Sequence, residues 1–516
     1  MKVPLTIGDY LSRGAAVYGD RTAVFDEPGT AGSLGAPSYR ELESRARGMA
    51  LALDRIGVGH GARVAIVSPN AARFLISFFG VSGYGRILVP VNYRLNADEI
   101  SYIIGHSGSS VLLVDPESEE SLRGISVQHK IVLDGASDAE LFAAAPDGAE
   151  PAAWTADEDA TASINYTSGT TAKPKGVQLT HRNCWLNAAT FGWHTAVTDR
   201  DVFMHTLPMF HCNGWGMPYA VTGMGVPQVV VRRIDGEEIL RRIGEHGVTL
   251  LCGAPAVVAA ILTAAADRRQ AGRDVPGAGT VRMVVAGAPP PSKTIERVET
   301  ELGWEFIQIY GLTETAPLLT INRAVAEWDG LPPPERARLQ SRAGVPAVGV
   351  QIRTDEEGEV LARSNHVFDG YWEQPEESAK ALAGGWFHTG DKGHIEAGDY
   401  LVISDRKKDV IISGGENVSS LEVEDCLYQH PAVAEAAVIG VPDAKWGETV
   451  MALVVLRDGS GATEAELIEH CRARLSHFKC PTSVELRAVL PRTATGKLQK
   501  FKLREPYWEG MARRVN

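Results

Sequence analysis

Between Tyr166 and His181 the chain reads YTSGTTAKPKGVQLTH. Thr167, Ser168, Thr170 and Thr171 surround Gly169, Lys173 and Lys175 flank Pro174, and Gly176 closes the run. Small residues let consecutive backbone N–H groups point into one concavity, and hydroxyl and ammonium groups add donors and positive charge. That is chemistry for holding phosphate. The order is not G-x-x-x-x-G-K-[ST], so this is not the P-loop of nucleoside triphosphatases. A plain flexible surface loop is the competing reading, but eight of the ten residues from Thr167 to Gly176 are hydroxyl, glycine or lysine.

Elements must position that loop. Apolar runs on both sides, Ser163 to Tyr166 and Val177 to Leu179, place it between two strands. The pattern over Tyr39 to Ile56 is that of an amphipathic helix. Arg63 to Val67 reads as a strand, Asn70 to Val81 as helix and Ile87 to Val91 as strand. This alternation returns from Ser163 to Tyr310 and predicts parallel sheets covered by helices. From about Arg342 to Ile403 the pattern changes to short strands with turn signals, a β subdomain. AEWDGLPPPERARLQ (326–340) reads as a surface excursion. After RKKD (406–409) the last hundred residues restart with their own strands and helices, a small α+β domain.

The chain has 516 residues, a prior of three to four folding units. Its formal net charge of −13 argues against a broad nucleic-acid or anionic-membrane surface, though not against a local basic pocket. The six cysteines are too sparse for a disulfide scaffold and form no C-x-x-C pair, so a reducing, cytoplasmic compartment is expected. The first residues show no secretory signal. Val248 to Ala266 imitates a membrane span, but Gly253 and Pro255 interrupt it. It reads as a buried strand (Val248 to Cys252), a tight turn and a helix from about Ala256.

With these residues in place, the chain resembles the adenylate-forming superfamily of acyl-CoA synthetases, peptide-synthetase adenylation domains and beetle luciferases. YTSGTTAKPKG matches the family's signature loop, with Ala172 where glycine is usual. GAPPP (287–291), YGLTET (310–315), HTGD (388–391), SDRKKDVIISGGENVSS (404–420), PDAKWGE (442–448) and PRTATGKLQK (491–500) follow in family order. PMFHCNGW (208–215) with EWDGLPPPERARL is most similar to bacterial and plant ligases that activate fatty or aromatic acids. The resemblance implies an α/β fold. Residues 1–407 would form a large N-terminal domain with parallel sheets, carrying the β subdomain at about 342–403. Residues 408–516 would form a smaller, mobile α+β domain hinged near Lys408.

It implies an enzyme, an AMP-forming acid–thiol ligase that uses ATP, Mg2+ and CoA. A carboxylate attacks the α-phosphate of ATP to give an acyl-adenylate and pyrophosphate, and a thiol then expels AMP. Bringing an anion to a polyanion requires offsetting positive charge. Lys497 matches the family's catalytic lysine and Glu314 its magnesium ligand. Thr167, Ser168, Gly169, Thr170, Thr171 and Lys175 would hold phosphates, with Thr313 and Thr315 as further donors. Tyr310 and Gly311, with Gly287, Ala288 and Pro289 on the other side, would enclose adenine, and Gln308 would reach its amino group. Asp391 would accept from the ribose hydroxyls, since a carboxylate only accepts, and Arg406 would add a donor.

His211 has three readings: a packed histidine, a metal ligand with His205 and Cys212, or a border of the acyl pocket and thiol tunnel. The resemblance favours the third, with Trp215, Gly287 and Gly311 as pocket neighbours and Met217 nearby. Small residues at Ala286, Gly287, Ala288 and Gly311 would leave room for a sizeable acyl group. Ser413, Gly414 and Gly415 match the segment that pantetheine passes. Trp446 and Phe478 offer apolar faces, and Arg94 and Lys479 offer charge for CoA. Cys480 and Thr482 stand where some relatives carry basic residues, and Ser364 replaces a common glycine.

Three rivals stay open: loading of a carrier-protein phosphopantetheine, specialisation for one half-reaction, and a non-catalytic ATP-binding relative. The partners expected are a carboxylic acid, ATP and CoA, with neither nucleic acid nor an integral membrane contact. A homodimer is also left open.

Overall fold

The computed structural model describes the chain except for residues 168–173, 288, 407–408, 414–415, 444–445, 494–497 and 510–516 and the side chains of Arg406 and Asn417. Among the described residues four sheets form. The first has strand order Gly370–Tyr371, Lys175–Thr180, Thr161–Thr167, Ile87–Val91, Arg63–Val67, Val111–Val114, His129–Val132. Its last five strands run parallel, whereas Lys175–Thr180 returns antiparallel along Thr161–Thr167. A connection as short as the phosphate loop can only make a hairpin; a parallel return needs a dozen or more residues. The sheet is therefore parallel as expected except at this edge.

The second sheet runs Val24–Phe25, Gln228–Val230, Phe203–His205, Leu250–Gly253, Arg282–Val285, Glu305–Gly311, Leu318–Arg323, Val345–Pro346. It too is parallel until its last two strands turn back. The pseudo-membrane stretch is resolved as the buried strand Leu250–Gly253 and the helix Pro255–Gln270, with Pro255 in the first turn, where its missing N–H costs nothing. Among the described residues no helix is long and apolar enough to cross a membrane.

The amphipathic segment is the helix Tyr39–Arg55, opened by a reciprocal Ser38–Glu41 capping box. Leu42, Ala46, Met49 and Leu53 recur at helical spacing and are all buried. They join one core with Phe78, Phe79 and Tyr219, whose rings meet edge-on at 5.4 and 5.8 Å.

The segment 326–340 is not a free excursion. It contains the helix Pro333–Gln340, whose Ala337 and Gln340 are buried, and Gln340 Nε2 donates to the Phe306 carbonyl at 2.9 Å. Its prolines start a helix rather than excluding one, and Arg336 fixes it to Glu299. Val345–Pro346, expected in the β subdomain, joins the second sheet instead. That subdomain is the antiparallel sheet of Val350–Thr354, Glu359–Ser364, Phe387–Glu396 and Tyr400–Arg406.

The fourth sheet belongs to the smaller C-terminal domain. Its long hairpin of Val433–Asp443 and Gly447–Leu456 is flanked by Ile411–Ser413, Glu416–Val418 and Ser483–Leu486. The helix Ser420–Tyr428 packs on it and reaches back to the large domain. There Asp405 Oδ2 accepts from the Ser420 N–H at 2.8 Å, and Asp425 Oδ1 accepts from the Ser292 N–H at 3.0 Å. Ser292 follows GAPPP directly, so the two domains meet beside that block.

Candidate active site

The loop expected to hold phosphate is a hairpin. Tyr166 stands opposite Gly176 and Thr167 opposite Lys175. Ser168, Gly169, Thr170 and Thr171 lie outside the described residues, but both ends of the loop are fixed. The Tyr166 hydroxyl lies 2.8 Å from His106 Nδ1, and burial raises its phenol well above the ordinary range, so it braces the loop as a neutral group.

At the other end Lys175 Nζ lies 2.6 Å from Glu377 Oε2 and 4.8 Å from the centre of the Tyr371 ring. The short strand Gly370–Tyr371 sets Tyr371 opposite Val177. Lys175, two residues away on the same face, becomes its diagonal neighbour. The Tyr371 hydroxyl donates to Glu314 Oε1 at 2.9 Å. Burial, then the Glu314 charge, raises the Tyr371 phenol, so it stays a donor. Neither Tyr371 nor Glu377 was a candidate from sequence. A tyrosine in Gly-Tyr-Trp carries no glycine or charge cluster to mark it, and only the strand pairing brings it here.

Glu314 occupies the turn Thr313–Thr315 just past the strand Glu305–Gly311. Its carbonyl accepts from the Phe368 N–H at 2.8 Å, which ties the turn to the Tyr371 segment. One strand thus delivers two candidates at its end, Tyr310 and Glu314. The Tyr310 hydroxyl donates to Asp391 Oδ2 at 2.7 Å, and Asp391 is buried on the neighbouring subdomain opposite Arg406. Gln308, on the same strand opposite Val285, is 4% exposed, and its Oε1 has no hydrogen-bond partner among the described residues. A buried unpaired acceptor is costly unless a donor arrives, which suits an amino group. Gly287 adopts φ 96°, a conformation that favours glycine, and Pro289 is exposed beside it. Ala288 lies outside the described residues.

Two sequence assignments need correction. Thr315 is fully buried, and its single O–H faces the carbonyls of Leu312 and Pro317 at 3.0 and 2.6 Å. It stabilises the turn and cannot donate to phosphate. Gly311 does not open space for an acyl chain on its side-chain side, because a Cβ there would lie 1.6 Å from the Pro317 carbonyl oxygen. Glycine is needed at the bulge between Tyr310 and Gly311 to admit the neighbouring backbone.

His211 heads an unusual turn. Cys212, Asn213, Gly214, Trp215 and Gly216 all have left-handed φ, at 47°, 51°, 60°, 63° and 76°. Left-handed backbone costs a non-glycine residue about 1–2 kcal/mol, so three such residues must be held from outside. Asn213 Nδ2 donates to Ser163 Oγ at 2.8 Å, Asn187 Nδ2 to the Trp215 carbonyl at 3.1 Å, and Cys212 Sγ faces the Thr313 carbonyl at 3.9 Å. These braces seat the turn between the phosphate hairpin and the Glu314 turn. Trp215 and Met217 are buried beside it.

His205 is a packed histidine. It is buried, lies 2.8 Å from Gln228 Oε1, and burial lowers it to about 4. No cluster of three or more His, Cys, Asp or Glu that could hold a metal occurs among the described residues. The metal reading of His211 therefore has no support.

Residues assigned to CoA fall in three places. Arg94 Nε donates to the Tyr93 hydroxyl at 3.1 Å, and Tyr93 meets Phe210 edge-on at 5.8 Å, so Arg94 stands by the His211 segment. Ser413 pairs with Gly447, next to the exposed Trp446. Phe478 is exposed on the turn His477–Lys479, and Lys479 pairs with Glu422 at 2.7 Å. Cys480 is buried in the small-domain core, and the exposed Thr482 donates its hydroxyl to the Val450 carbonyl at 3.1 Å. Gly414, Gly415, Lys497 and Lys408, the expected hinge, lie outside the described residues.

Comparison with known proteins identifies the family. Residues 11–372 match the model for the AMP-binding enzyme and 422–497 that for the AMP-binding enzyme C-terminal domain. The chain is 38% identical to a 2-methylpropanoate–CoA ligase of Humulus lupulus, covering 97% of this chain and 95% of the relative. It is 35% identical to a peroxisomal acetate/butyrate–CoA ligase of Arabidopsis thaliana, covering 96% and 93%. An anthranilate CoA ligase solved with anthranoyl-AMP superposes with a TM-score of 0.86 at 28% identity, over 98% of this chain and 99% of that one. The chain therefore belongs to the AMP-binding enzyme family, within the adenylate-forming superfamily, and is an acyl-CoA synthetase.

Proposed function

We propose that this enzyme activates short-chain carboxylic acids, of the size of acetate, butyrate or 2-methylpropanoate, with ATP and Mg2+ and transfers them to CoA. The observation that carries the reading is the convergence of Glu314, Tyr310 and Asp391 at the foot of the phosphate hairpin. The two plant relatives carry short acids in their names. Trp215 and Met217 are packed into the core beside His211.

Asp391 and Tyr310 bind the nucleoside, Gln308 offers its free acceptor to the base, and Lys175 with the hairpin takes the phosphates. Glu314 fits a magnesium ion, because a hard cation is commonly held by one or two carboxylates and phosphate oxygens rather than by a protein cage. When bound, the ion offsets the charge that gathers as a carboxylate oxygen bonds to the α-phosphorus and pyrophosphate leaves. Lys497 stabilises the same crowding. The CoA sulfur then bonds to the acyl carbon, the acyl–phosphate C–O bond breaks, and AMP departs. Arg94, Ser413 and Trp446 border the thiol's approach. Phe478 stands exposed, whereas Lys479 would need Glu422 to yield.

The domain limits are 1–407 and 408–516 with Lys408 as hinge; the end of one sheet at Arg406 and the start of the next at Ile411 support this. Six free, buried cysteines favour a reducing compartment, and we assign the cytoplasm. A homodimer is compatible with this scheme and enters no step of it.

AMP release and hydroxamate trapping across an acid panel test the reading. Acetate, butyrate and 2-methylpropanoate should outpace dodecanoate and benzoate, with thioester formed only when CoA is added. A preference for the long or aryl acids would overturn the substrate class, and ADP with an acyl-phosphate would overturn the chemistry. His211→Ala should alter the acid profile or thiolation more than the ATP dissociation constant, because in this reading His211 borders the acyl pocket. An unchanged acid profile with a large loss of ATP affinity would remove His211 from the pocket.

A further inference from the structure

Tyr371 takes no part in either half-reaction as described above, yet it touches the groups on both sides of the phosphate site. Its hydroxyl donates to Glu314 Oε1 at 2.9 Å. A carboxylate is planar, so fixing one oxygen also aims the other. Tyr371 is itself locked. Its N–H donates to Ser378 Oγ at 2.8 Å, and its ring lies edge-on to Phe368 at 4.8 Å. The Phe368 N–H in turn holds the Glu314 carbonyl at 2.8 Å. Backbone and side chain of Glu314 are therefore both governed by the segment from Phe368 to Tyr371. Lys175 Nζ lies over the ring, 4.8 Å from its centre. The partner of that ammonium, Glu377, is 41% exposed, and Lys175 is 28% exposed. Such half-exposed pairs are worth about 0–1 kcal/mol, so Lys175 can exchange Glu377 for a phosphate oxygen at little cost.

Resting on the reading that Glu314 holds the cation, we propose that Tyr371 is a positioning residue. It turns one Glu314 oxygen away and presents the other to the metal–phosphate group, while its ring keeps Lys175 on the same side.

Outer-shell partners of metal ligands typically govern affinity by about 10–100-fold. Tyr371→Phe keeps the ring and removes only the hydroxyl. Electron paramagnetic resonance of Mn2+ added to the enzyme with ATP should show about tenfold weaker Mn2+ binding in Tyr371→Phe. AMP affinity, which reads the nucleoside site and the fold, should be unchanged. The Mg2+ concentration that half-activates adenylation should rise by the same factor. Glu314→Gln serves as the reference. If it weakens Mn2+ binding and Tyr371→Phe does not, this inference fails and the assignment of Glu314 stands. If Glu314→Gln itself binds Mn2+ like the native enzyme, the assignment fails and the inference with it. If Tyr371→Phe loses AMP affinity equally, Tyr371 is merely structural and the inference is overturned.

Discussion

Replacing Lys497 by alanine should slow adenylation by roughly two to three powers of ten and leave thiolation of a preformed acyl-adenylate nearly intact. A charge pair at about 4 Å is worth about 4 kcal/mol at an effective dielectric of about 20. At about 1.36 kcal/mol per decade, its loss accounts for that range. The charge matters where carboxylate and polyphosphate meet; no such repulsion opposes a thiol attacking a mixed anhydride. A bulky residue at Gly415 should do the opposite, obstructing the pantetheine arm while adenylation continues. Both variants are assayed twice, from acid with ATP and from synthetic adenylate with CoA. Equal damage to both steps in both variants would sink the assignment of separate groups to separate half-reactions. A native enzyme that works only from the adenylate would instead mark a single-step specialist.

The second large effect is on stability. Lys500 and Glu424 form a buried pair at 2.7 Å in the small domain, each with 9% of its side chain exposed. Glu424 Oε1 also accepts from the Val438 N–H at 2.7 Å. Burial opposes the charge on Lys500, but Glu424 and Asp405 outweigh it and hold the ammonium protonated. Lys500→Met removes that cation and strands a carboxylate, a loss of about 3–5 kcal/mol at neutral pH. Burial raises Glu424 above the ordinary carboxylate range even in the native protein. A raised folded value means that the protonated form is the one favoured by folding. The Lys500→Met defect should therefore shrink as pH falls and Glu424 takes up a proton, and grow as pH rises. Adding Glu424→Leu should recover most of the loss, since an apolar pair of similar volume often replaces a buried ion pair without penalty. Urea titrations at two pH values check both statements. A double variant no more stable than Lys500→Met would mean that the pair is not the source of the defect.

Much of the architecture was legible in the chain because its signals are local. The Ser38–Glu41 capping box and the apolar stripe through Leu53 mark one helix, and Gly253 with Pro255 breaks a false membrane span into strand and helix. The shift at RKKD lies between the last strand of the subdomain and the first strand of the small domain. Where the reading failed, a distant partner had intervened. The 326–340 segment looked like surface until Phe306 accepted Gln340 and Glu299 accepted Arg336.

The same division runs through the site. By itself the sequence determined which residue types could hold phosphate and where the hairpin that carries them lies, and its family resemblance grouped Tyr310, Glu314 and Asp391 as expected nucleotide ligands. Those features reside in contiguous, ordered blocks. Only the tertiary structure decided what each side chain is free to do. Thr315 lies in the same block as Glu314, but its hydroxyl is spent on the Pro317 carbonyl. Gly311 looks like open space, but the Pro317 backbone fills it. Tyr371 has no motif of its own, but an edge strand carries it to Glu314 across 57 positions of chain. Hydrogen-bond capacity is finite and space is exclusive. Which partner claims each depends on residues far apart in sequence, so folding alone could assign them.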